Sequence, residues 1–195
     1  MESMAIADRL RAEFPDTILH TYTHQGQTAV VVRPGRIVDI LRWLRETDGI
    51  RMNHLRSLCG VDNAGRQEQG LSRFEVVYNL YSVSLRHEIR VRAAVDDGEA
   101  GIDSVVELWS GADWLERETY DLLGIRFNNH PDLRRVLLPD DWVGYPLRKD
   151  YPLRGAEEWS GMTELLAKVK ELDQYGFDPQ GHAPGQAAPS REDSP

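Results

Sequence analysis

Two neighbouring stretches that alternate apolar and polar residues constrain the fold of this chain most. They run over residues 73–84, "RFEVVYNLYSVS", and 86–95, "RHEIRVRAAV". Successive side chains of a strand point to opposite faces of a sheet, so each stretch predicts a strand with one buried face. The inward residues are Phe74, Val76, Tyr78, Leu80, Ile89, Val91, Ala93 and Val95, with Arg90 and Arg92 outward. The short link between the stretches predicts an antiparallel hairpin.

The rest of the first 124 residues supplies another strand and two helices. Residues 28–33, "TAVVVR", carry successive β-branched side chains, which predicts a buried strand. A helix is predicted over 34–49, where Pro34 opens the helix, Gly49 ends it and apolar residues recur at helical spacing. A short amphipathic helix at the N-terminus has Ile6 and Leu10 as its apolar contacts. Residues 1–124 are therefore predicted to form an α+β two-layer domain, with a mostly antiparallel or mixed sheet and helices on one face.

The chain changes character after residue 124. Four prolines are spaced through residues 125–154, and each biases its predecessor towards extended geometry. We therefore predict an extended Pro-rich arm that closes the domain, with six cationic and four acidic side chains in a chain of net charge -9. Within 155–195, "SGMTELLAKVKELD" predicts a helix, and we expect the Pro- and Gly-rich tail beyond Phe177 to be disordered.

Composition narrows the classes of function. The chain has one cysteine, Cys59, so it can form no internal disulfide, and no site built from several cysteines, and we expect a reducing compartment. The net charge of -9 argues against a general affinity for nucleic acid. No apolar run approaches the roughly 20 residues of a membrane-spanning helix, and the first 15 residues lack the apolar region of a signal peptide. We therefore expect no direct membrane insertion.

An acidic cluster in residues 113–122 is the first candidate for catalysis. Glu116, Glu118 and Asp121 could act as paired carboxylates in acid–base chemistry. At about 100° per residue, however, Leu115, Thr119 and Leu122 define an inward stripe that contains Glu118. The spacing makes Arg117 and Asp121 an exposed helix pair and makes Asp113 and Glu116 a capping box. Only Glu118 then needs a buried partner, and the candidates are Arg134, Arg135 and Arg148.

The histidines indicate no metal or nucleophile site. His20 and His24 lie in a predicted strand and turn, so they do not converge as they would on a helix. His54 and His87 stand alone, and His130 precedes a proline in a predicted turn. No Ser-His-Asp signature, P-loop or dinucleotide fingerprint is present. From its residues alone, the chain is predicted to lack a catalytic site and a metal site.

The stretch over residues 116–137, "ERETYDLLGIRFNNHPDLRRVL", resembles the signature of the 30-kDa subunit of NADH:quinone oxidoreductase, respiratory complex I. The matching positions are Glu116, Arg117, Glu118, Asp121, Leu122, Leu123, His130, Arg134, Val136 and Leu137. Further similarity lies in "GVD" at 60–62, "RFEVVYNLYS" at 73–82 and "GYPLRKDYPL" at 144–153. The resemblance spans residues 54–154, whereas residues 1–53 fit the family by layout only.

The resemblance implies a non-redox structural subunit in the hydrophilic arm of a proton-translocating enzyme. Flavin and iron–sulfur clusters would lie in partner subunits, and electrons would pass through those groups from NADH to quinone. The implied neighbours are the hydrogenase-like subunit of complex I and an adjacent iron–sulfur subunit. The implied location is peripheral, on the cytoplasmic side of the bacterial inner membrane. The chain would be part of an enzyme without carrying catalytic residues.

Residues 141–154 are predicted to be a principal contact with partner subunits. Prolines prevent a regular element there, and aromatic and charged side chains are of the kinds that anchor interfaces. The predicted contact residues are Trp142, Tyr145, Arg148, Lys149, Asp150 and Tyr151. We expect the cations Arg148 and Lys149 to lie outside the core of the domain.

Two alternatives remain open at this point. Similar subunits occur in energy-converting hydrogenases, in the photosynthetic complex I-like enzyme and in cofactor-420-linked dehydrogenases. A different class of protein would be a stand-alone hydrolase that uses Glu118 and His130.

Overall fold

The predicted hairpin is present and forms the centre of a sheet. In the computed structural model, strands Phe74–Ser82 and His87–Val95 pair antiparallel, with Phe74 opposite Val95 and Ser82 opposite His87. The structure describes residues 2–66, 72–95, 101–153 and 161–173. It divides into two compact units, Met1–Ala156 and Glu157–Pro195.

The first unit contains three α-helices and seven strands within its described residues. In chain order these are α1 (Ser3–Glu13), β1 (Ile18–His24), β2 (Gln27–Val32), α2 (Ile37–Glu46), β3 (His54–Asp62), β4 (Phe74–Ser82), β5 (His87–Val95), β6 (Ile102–Asp103), α3 (Ala112–Leu123) and β7 (Phe127–Asn128). A 3₁₀ turn, Pro34–Arg36, precedes α2, because the proline fits the first turn of a helix. The predicted strand at 28–33 and both predicted N-terminal helices are confirmed.

The main sheet has five strands in the order β1-β2-β5-β4-β3. Strands β2 and β5 pair parallel, with Val30 opposite Val91, while the other neighbours pair antiparallel. The sheet is therefore mixed, which confirms the predicted α+β class. Strands β1 and β3 lie at opposite edges of this sheet. A separate two-stranded parallel ladder joins β6 to β7.

One continuous hydrophobic cluster holds the helices against the sheet. The inward residues of β4 and β5 are buried as predicted, and Ile6 and Leu10 of α1 are fully buried. Helix α2 buries the four apolar residues that recur at helical spacing, which are Ile37, Ile40, Leu41 and Leu44. This burial removes a large apolar area from water and is the main favourable term in folding.

The opposite face of the central strands is polar. Arg92 donates hydrogen bonds to Glu75 and to the Tyr22 hydroxyl, and Arg90 donates to the Asn79 side chain at 2.8 Å. Arg90 and Arg92 thus point outward as the alternation predicts. Glu75 is almost fully buried, because the pairing with Arg92 satisfies its charge there.

The second unit contains a helix at the predicted place, α4 (Met162–Asp173). Its apolar residues Met162, Leu165 and Leu166 are exposed. The tail beyond Phe177, which we expect to be disordered, lies outside the described residues.

Helix α3 packs closely on β3 at Gly60. A Cβ atom at this position would lie 2.5 Å from Leu123 Cδ1 and 2.8 Å from Thr119 Cγ2. Both distances are far below van der Waals contact, so the glycine is required by the close approach of α3 to the sheet. A hydrogen at residue 60 therefore helps to set the position of the helix that carries the acidic cluster of residues 113–122.

We expect Gly60→Ala to destabilise the chain by about 1 to 3 kcal/mol, because overpacking forces the helix away from the strand. Gly35→Ala is the matched control, since a Cβ atom there meets nothing within 4 Å. Chemical denaturation of both variants measures the difference. Equal stability of the two variants would contradict the close packing of α3 on β3.

Candidate functional site

The charged residues of α3 are buried, and the face assignment made from the sequence is wrong. Glu116 and Asp121 are 0% exposed and Arg117 is 7% exposed. Glu118, which the apolar stripe predicted to be buried, is exposed. The helix therefore turns a polar face inward, and the acid that needs no partner is Glu118.

The error has a physical cause. Helical periodicity identifies an inward face by its apolar side chains, but here the neighbours of α3 include polar backbone groups from two loops. The capping-box interpretation is also wrong, because the residue preceding the helix is Gly111 and no side chain caps the helix. Glu116 instead accepts a hydrogen bond from the Val105 backbone N–H at 2.8 Å.

Asp121 organises the beginning of the Pro-rich arm. Its Oδ2 accepts the backbone N–H groups of Val136, Leu137 and Leu138 at 3.0, 2.7 and 2.9 Å. Its Oδ1 accepts a hydrogen bond from Arg135 Nη1 at 2.8 Å. Burial acts to raise the pKa of this carboxyl, but the backbone donors and Arg135 outweigh it and hold the pKa below its ordinary value.

Two arginines bind backbone carbonyls of the arm. Arg117 donates to the carbonyls of Arg134 and Arg135 at 3.2 and 3.4 Å, so it is not the exposed partner of Asp121 that the spacing predicted. Arg135 also donates to the carbonyls of Trp142 and Gly144 at 3.1 and 3.4 Å. The guanidinium groups therefore satisfy loop carbonyls that the irregular backbone leaves unpaired.

Arg148 is a structural residue rather than an outer contact. Its Nε donates to the Leu123 carbonyl at 2.7 Å, at the C-terminal end of α3. Its guanidinium lies 5.0 Å from the ring centre of Phe74 and 4.7 Å from that of Tyr145. The expectation that Arg148 lies outside the core is therefore wrong, because the positive charge is used to cap the negative end of a helix.

The helix ends beneath this arginine at Gly124, whose φ is 74°. A Cβ atom there would lie 2.6 Å from the Tyr145 ring and 2.7 Å from Arg148 Nη2. Glycine is needed for both the left-handed backbone and the close approach of the arm.

The remaining predicted contact residues lie on the outside. Arg134 is exposed and pairs with Asp132 at 2.9 Å. Lys149 and Asp150 are exposed, and Asp150 pairs with Arg73. The Lys149 backbone N–H donates to buried Asp62 at 2.8 Å, and the Tyr151 hydroxyl donates to the Val143 carbonyl at 3.2 Å. The structure thus brings the predicted residues together along α3 and the arm, except for Glu118.

His130 and Glu116 meet beneath the N-terminal half of α3. His130 Nδ1 accepts the Asp132 backbone N–H at 3.0 Å, which leaves Nε2 as the protonated nitrogen. Nε2 lies 3.3 Å from Asp113 Oδ1 and 3.9 Å from Glu116 Oε2. Burial raises the pKa of Glu116 to about 7, although hydrogen bonds from Ser104 and Val105 act to lower it. The geometry therefore favours a neutral histidine beside a carboxyl that retains its proton near neutral pH.

This arrangement does not form a hydrolase site. The His130 side chain is fully buried, whereas Glu118 faces solvent, so the two residues do not share a cleft. Among the described residues, no group of three His, Cys, Asp or Glu side chains is placed to hold a metal ion. In the same part of the chain, no helix is long and apolar enough to cross a membrane.

The arm presents an apolar outer surface that sequence reasoning largely missed. We define the arm surface as the four exposed apolar residues Leu137, Val143, Leu147 and Leu153, which are 60%, 55%, 55% and 104% exposed. The only signal in the sequence is that these residues lie in a segment whose backbone is too irregular to bury them in a periodic pattern. Because α3 fixes the backbone beneath them, the arrangement is chemically suited to binding another protein rather than to catalysis.

Comparison with known proteins agrees with this description. Residues 30–157 match the model of the family described as respiratory-chain NADH dehydrogenase, 30-kDa subunit. An NADH-quinone oxidoreductase subunit of a Roseiflexus species is 48% identical over 158 residues, covering 81% of this chain and 88% of the relative. The subunit of the same name from Geobacter sulfurreducens is 47% identical over 149 residues, covering 76% of this chain and 89% of the relative.

Solved structures share the fold. A trypsin-resistant fragment of Nqo5 is 28% identical, with a TM-score of 0.60 over 68% of this chain and 100% of the fragment. A chain of the membrane-bound sulfane sulfur reductase, an archaeal respiratory membrane complex, is 20% identical with a TM-score of 0.63. That alignment covers 94% of this chain and 100% of the archaeal chain, and it shows the fold alone.

We expect Asp121→Ala to destabilise the chain by about 3 to 5 kcal/mol, because it leaves the buried Arg135 charge and three backbone N–H groups without their acceptor. Glu118→Ala removes an exposed acid from the same helix and should cost no more than about 0.5 kcal/mol. Urea unfolding of the two variants provides the comparison. If Glu118→Ala proved as costly as Asp121→Ala, the observed helix faces would be wrong.

Stability should also depend on the protonation of Glu116. The pKa in the folded chain is about 7, above the ordinary value of 4.5, so folding favours the protonated form. This contribution is fully present below about pH 4.5 and is lost as the pH rises through about 7, which amounts to about 3 kcal/mol. Glu116→Gln should remove this slope, while Glu118→Gln should keep it. Unfolding free energies measured across that pH range decide, and a slope that survives in Glu116→Gln assigns it to another group.

Proposed function

Since the chain belongs to the 30-kDa subunit family of respiratory-chain NADH dehydrogenase, we propose that it acts as a structural docking subunit and not as a carrier of electrons. It is a subunit of NADH-quinone oxidoreductase, the enzyme that transfers electrons from NADH to quinone. In this role the α+β domain is a rigid base, and the arm is the part that recognises neighbouring subunits.

The observation that carries the proposal is the arm surface. A segment without regular structure normally loses conformational freedom when it binds, and that loss weakens binding. Here Asp121, Arg117, Arg135 and Arg148 already hold the backbone of the arm in the free chain. The apolar side chains are therefore presented in a fixed arrangement, which is typical of a preorganised interface.

The proposed partners are the hydrogenase-like subunit and the adjacent iron–sulfur subunit of the same enzyme. The redox groups of the enzyme need fixed distances to one another, and a rigid subunit that contacts both partners would maintain those distances. The proposed location is the cytoplasmic side of the bacterial inner membrane, where the chain is peripheral. Membership of the family and the exposed arm surface support this placement.

We further propose that the chain itself binds no flavin, metal or iron–sulfur cluster. The single cysteine is consistent with this role, because a cluster needs several thiolates from one or more chains. The alternative of an equivalent subunit in a related complex rests only on the fold shared with the archaeal reductase. At 20% identity that likeness does not favour it over the complex of the relatives that are nearly half identical.

The arm surface can be tested with charge introduced at two exposed positions. The variant Leu137→Glu with Val143→Glu should keep the wild-type melting temperature, because both side chains already face water. It should lower co-purification of the hydrogenase-like and iron–sulfur subunits, since burying two unpaired carboxylates in an interface is costly. Membranes from cells carrying it should lose NADH-dependent quinone reduction.

The matched control is Val83→Glu with Leu85→Glu, two exposed apolar residues in the turn between β4 and β5. It adds the same charge at a turn of the sheet that is separate from the arm and should assemble normally. Normal assembly of the Leu137/Val143 variant would contradict the docking role of the arm. A loss of assembly in both variants would attribute the effect to added charge in general.

A further inference from the structure

We propose that the free edge of β3, together with the groove at its end, accepts an extended acidic segment of a partner subunit as a sixth strand of the sheet. This inference rests on the proposed function, because it adds a second contact beside the arm and specifies the chemistry of the segment that binds there.

The first observation is the unpaired edge. In the described part of the chain β3 pairs only with β4, so the other side of its nine-residue backbone has no strand neighbour there. A register irregularity lies between Leu55 and Ser57, and pairing with β4 is regular from Ser57 to Asp62. Edge strands are usually protected by proline, by bulges or by short length. The regular half of β3 has no proline and is long enough to pair with another strand.

The second, independent observation is a groove at the end of this half of β3. Its volume is about 370 Å³, and Val61, Leu123 and Leu147 provide its apolar lining. Arg66 and Lys149 line the same groove, and both are exposed. The buried Asp62 carboxylate does not neutralise them, because it already accepts the backbone N–H groups of Ala64 and Lys149 at 2.8 Å. The groove therefore presents apolar surface flanked by positive charge.

The charges indicate which kind of segment would bind. Arg66 and Lys149 make no ion pair among the described residues, whereas Arg73 and Arg56 nearby are paired with Asp150 and Glu88. An apolar side chain with neighbouring carboxylates complements such a groove. The ladder groups of β3 require an extended backbone, so the binding mode is strand addition rather than a docked helix.

The position of the groove identifies β3, and not β1, as the binding edge. Leu147 and Lys149 belong to the arm, so a segment that pairs with β3 would continue into contact with the surface proposed to meet the partners. Strand β1 is also an edge, but it lies at the opposite side of the five-stranded sheet. The β3 edge is thus continuous with the arm, and one partner could occupy both.

Amide hydrogen exchange of the full-length chain, free and within the assembled oxidoreductase, tests the proposal without any substitution. In an antiparallel ladder alternate amides point to each side, so about half of those in residues 57–62 should exchange quickly in the free chain. Assembly should slow these amides by at least about tenfold. Unchanged exchange over 57–62 in the assembled enzyme would overturn the proposal.

The occupant is tested by comparing the free full-length chain with one that ends at residue 173. If the 57–62 amides are already slow in the free full-length chain and become fast in the shortened one, the chain's own tail covers the edge and the proposal is wrong. Fast exchange in both free forms, followed by slow exchange on assembly, supports a partner segment.

Charge reversal tests the groove. Arg66→Glu with Lys149→Glu should keep the wild-type melting temperature and lower recovery of the partner subunits by at least about tenfold, because carboxylates would meet carboxylates. The control, Arg33→Glu with Arg86→Glu, makes the same charge change at exposed arginines elsewhere. If the groove variant assembles normally while the Leu137/Val143 variant does not, the sixth strand is excluded and the docking role of the arm stands.

Discussion

The buried carboxylate of Asp121 is the interaction on which the arm depends. A charge with no exposure to water is unfavourable unless donors surround it, and here three consecutive backbone N–H groups and one guanidinium do so. The donors all come from residues 135–138, so satisfying the charge also fixes the path of the chain. A segment whose prolines prevent ladder hydrogen bonds thereby obtains a defined conformation from a single side chain of α3.

The parts of the fold that could be predicted are those that local periodicity determines. The hairpin of β4 and β5 follows from alternation, and α2 follows from apolar residues at helical spacing between a proline and a glycine. The parallel pairing of β2 with β5 joins strands distant in sequence, so local patterns cannot decide between an antiparallel and a mixed sheet. Strand β3 carries too little alternation to be recognised, since a register irregularity and Gly60 interrupt it.

The residues of the candidate site could be predicted, but their orientation could not. The signature identifies Glu116, Arg117 and Asp121, and all three are buried. Their inward direction cannot be derived from the sequence, because it depends on backbone groups of loops that come later in the chain. The number of charges in the arm is a misleading guide for the same reason. Arg135 and Arg148 use their charge within the domain, and Lys149 keeps its charge outside.

The hydrogen bond between Asp62 and the Lys149 backbone joins residues that are 87 apart in sequence. Contacts of such large separation form late in folding, because a long loop must be closed before they contribute. The arm is therefore secured after β3 and α3 are in place, as its other anchors lie on α3. A chain with an unfinished sheet would present no ordered arm to its neighbours. The binding surface then serves as a report on completed folding, and incomplete chains would be kept out of the enzyme by their own kinetics.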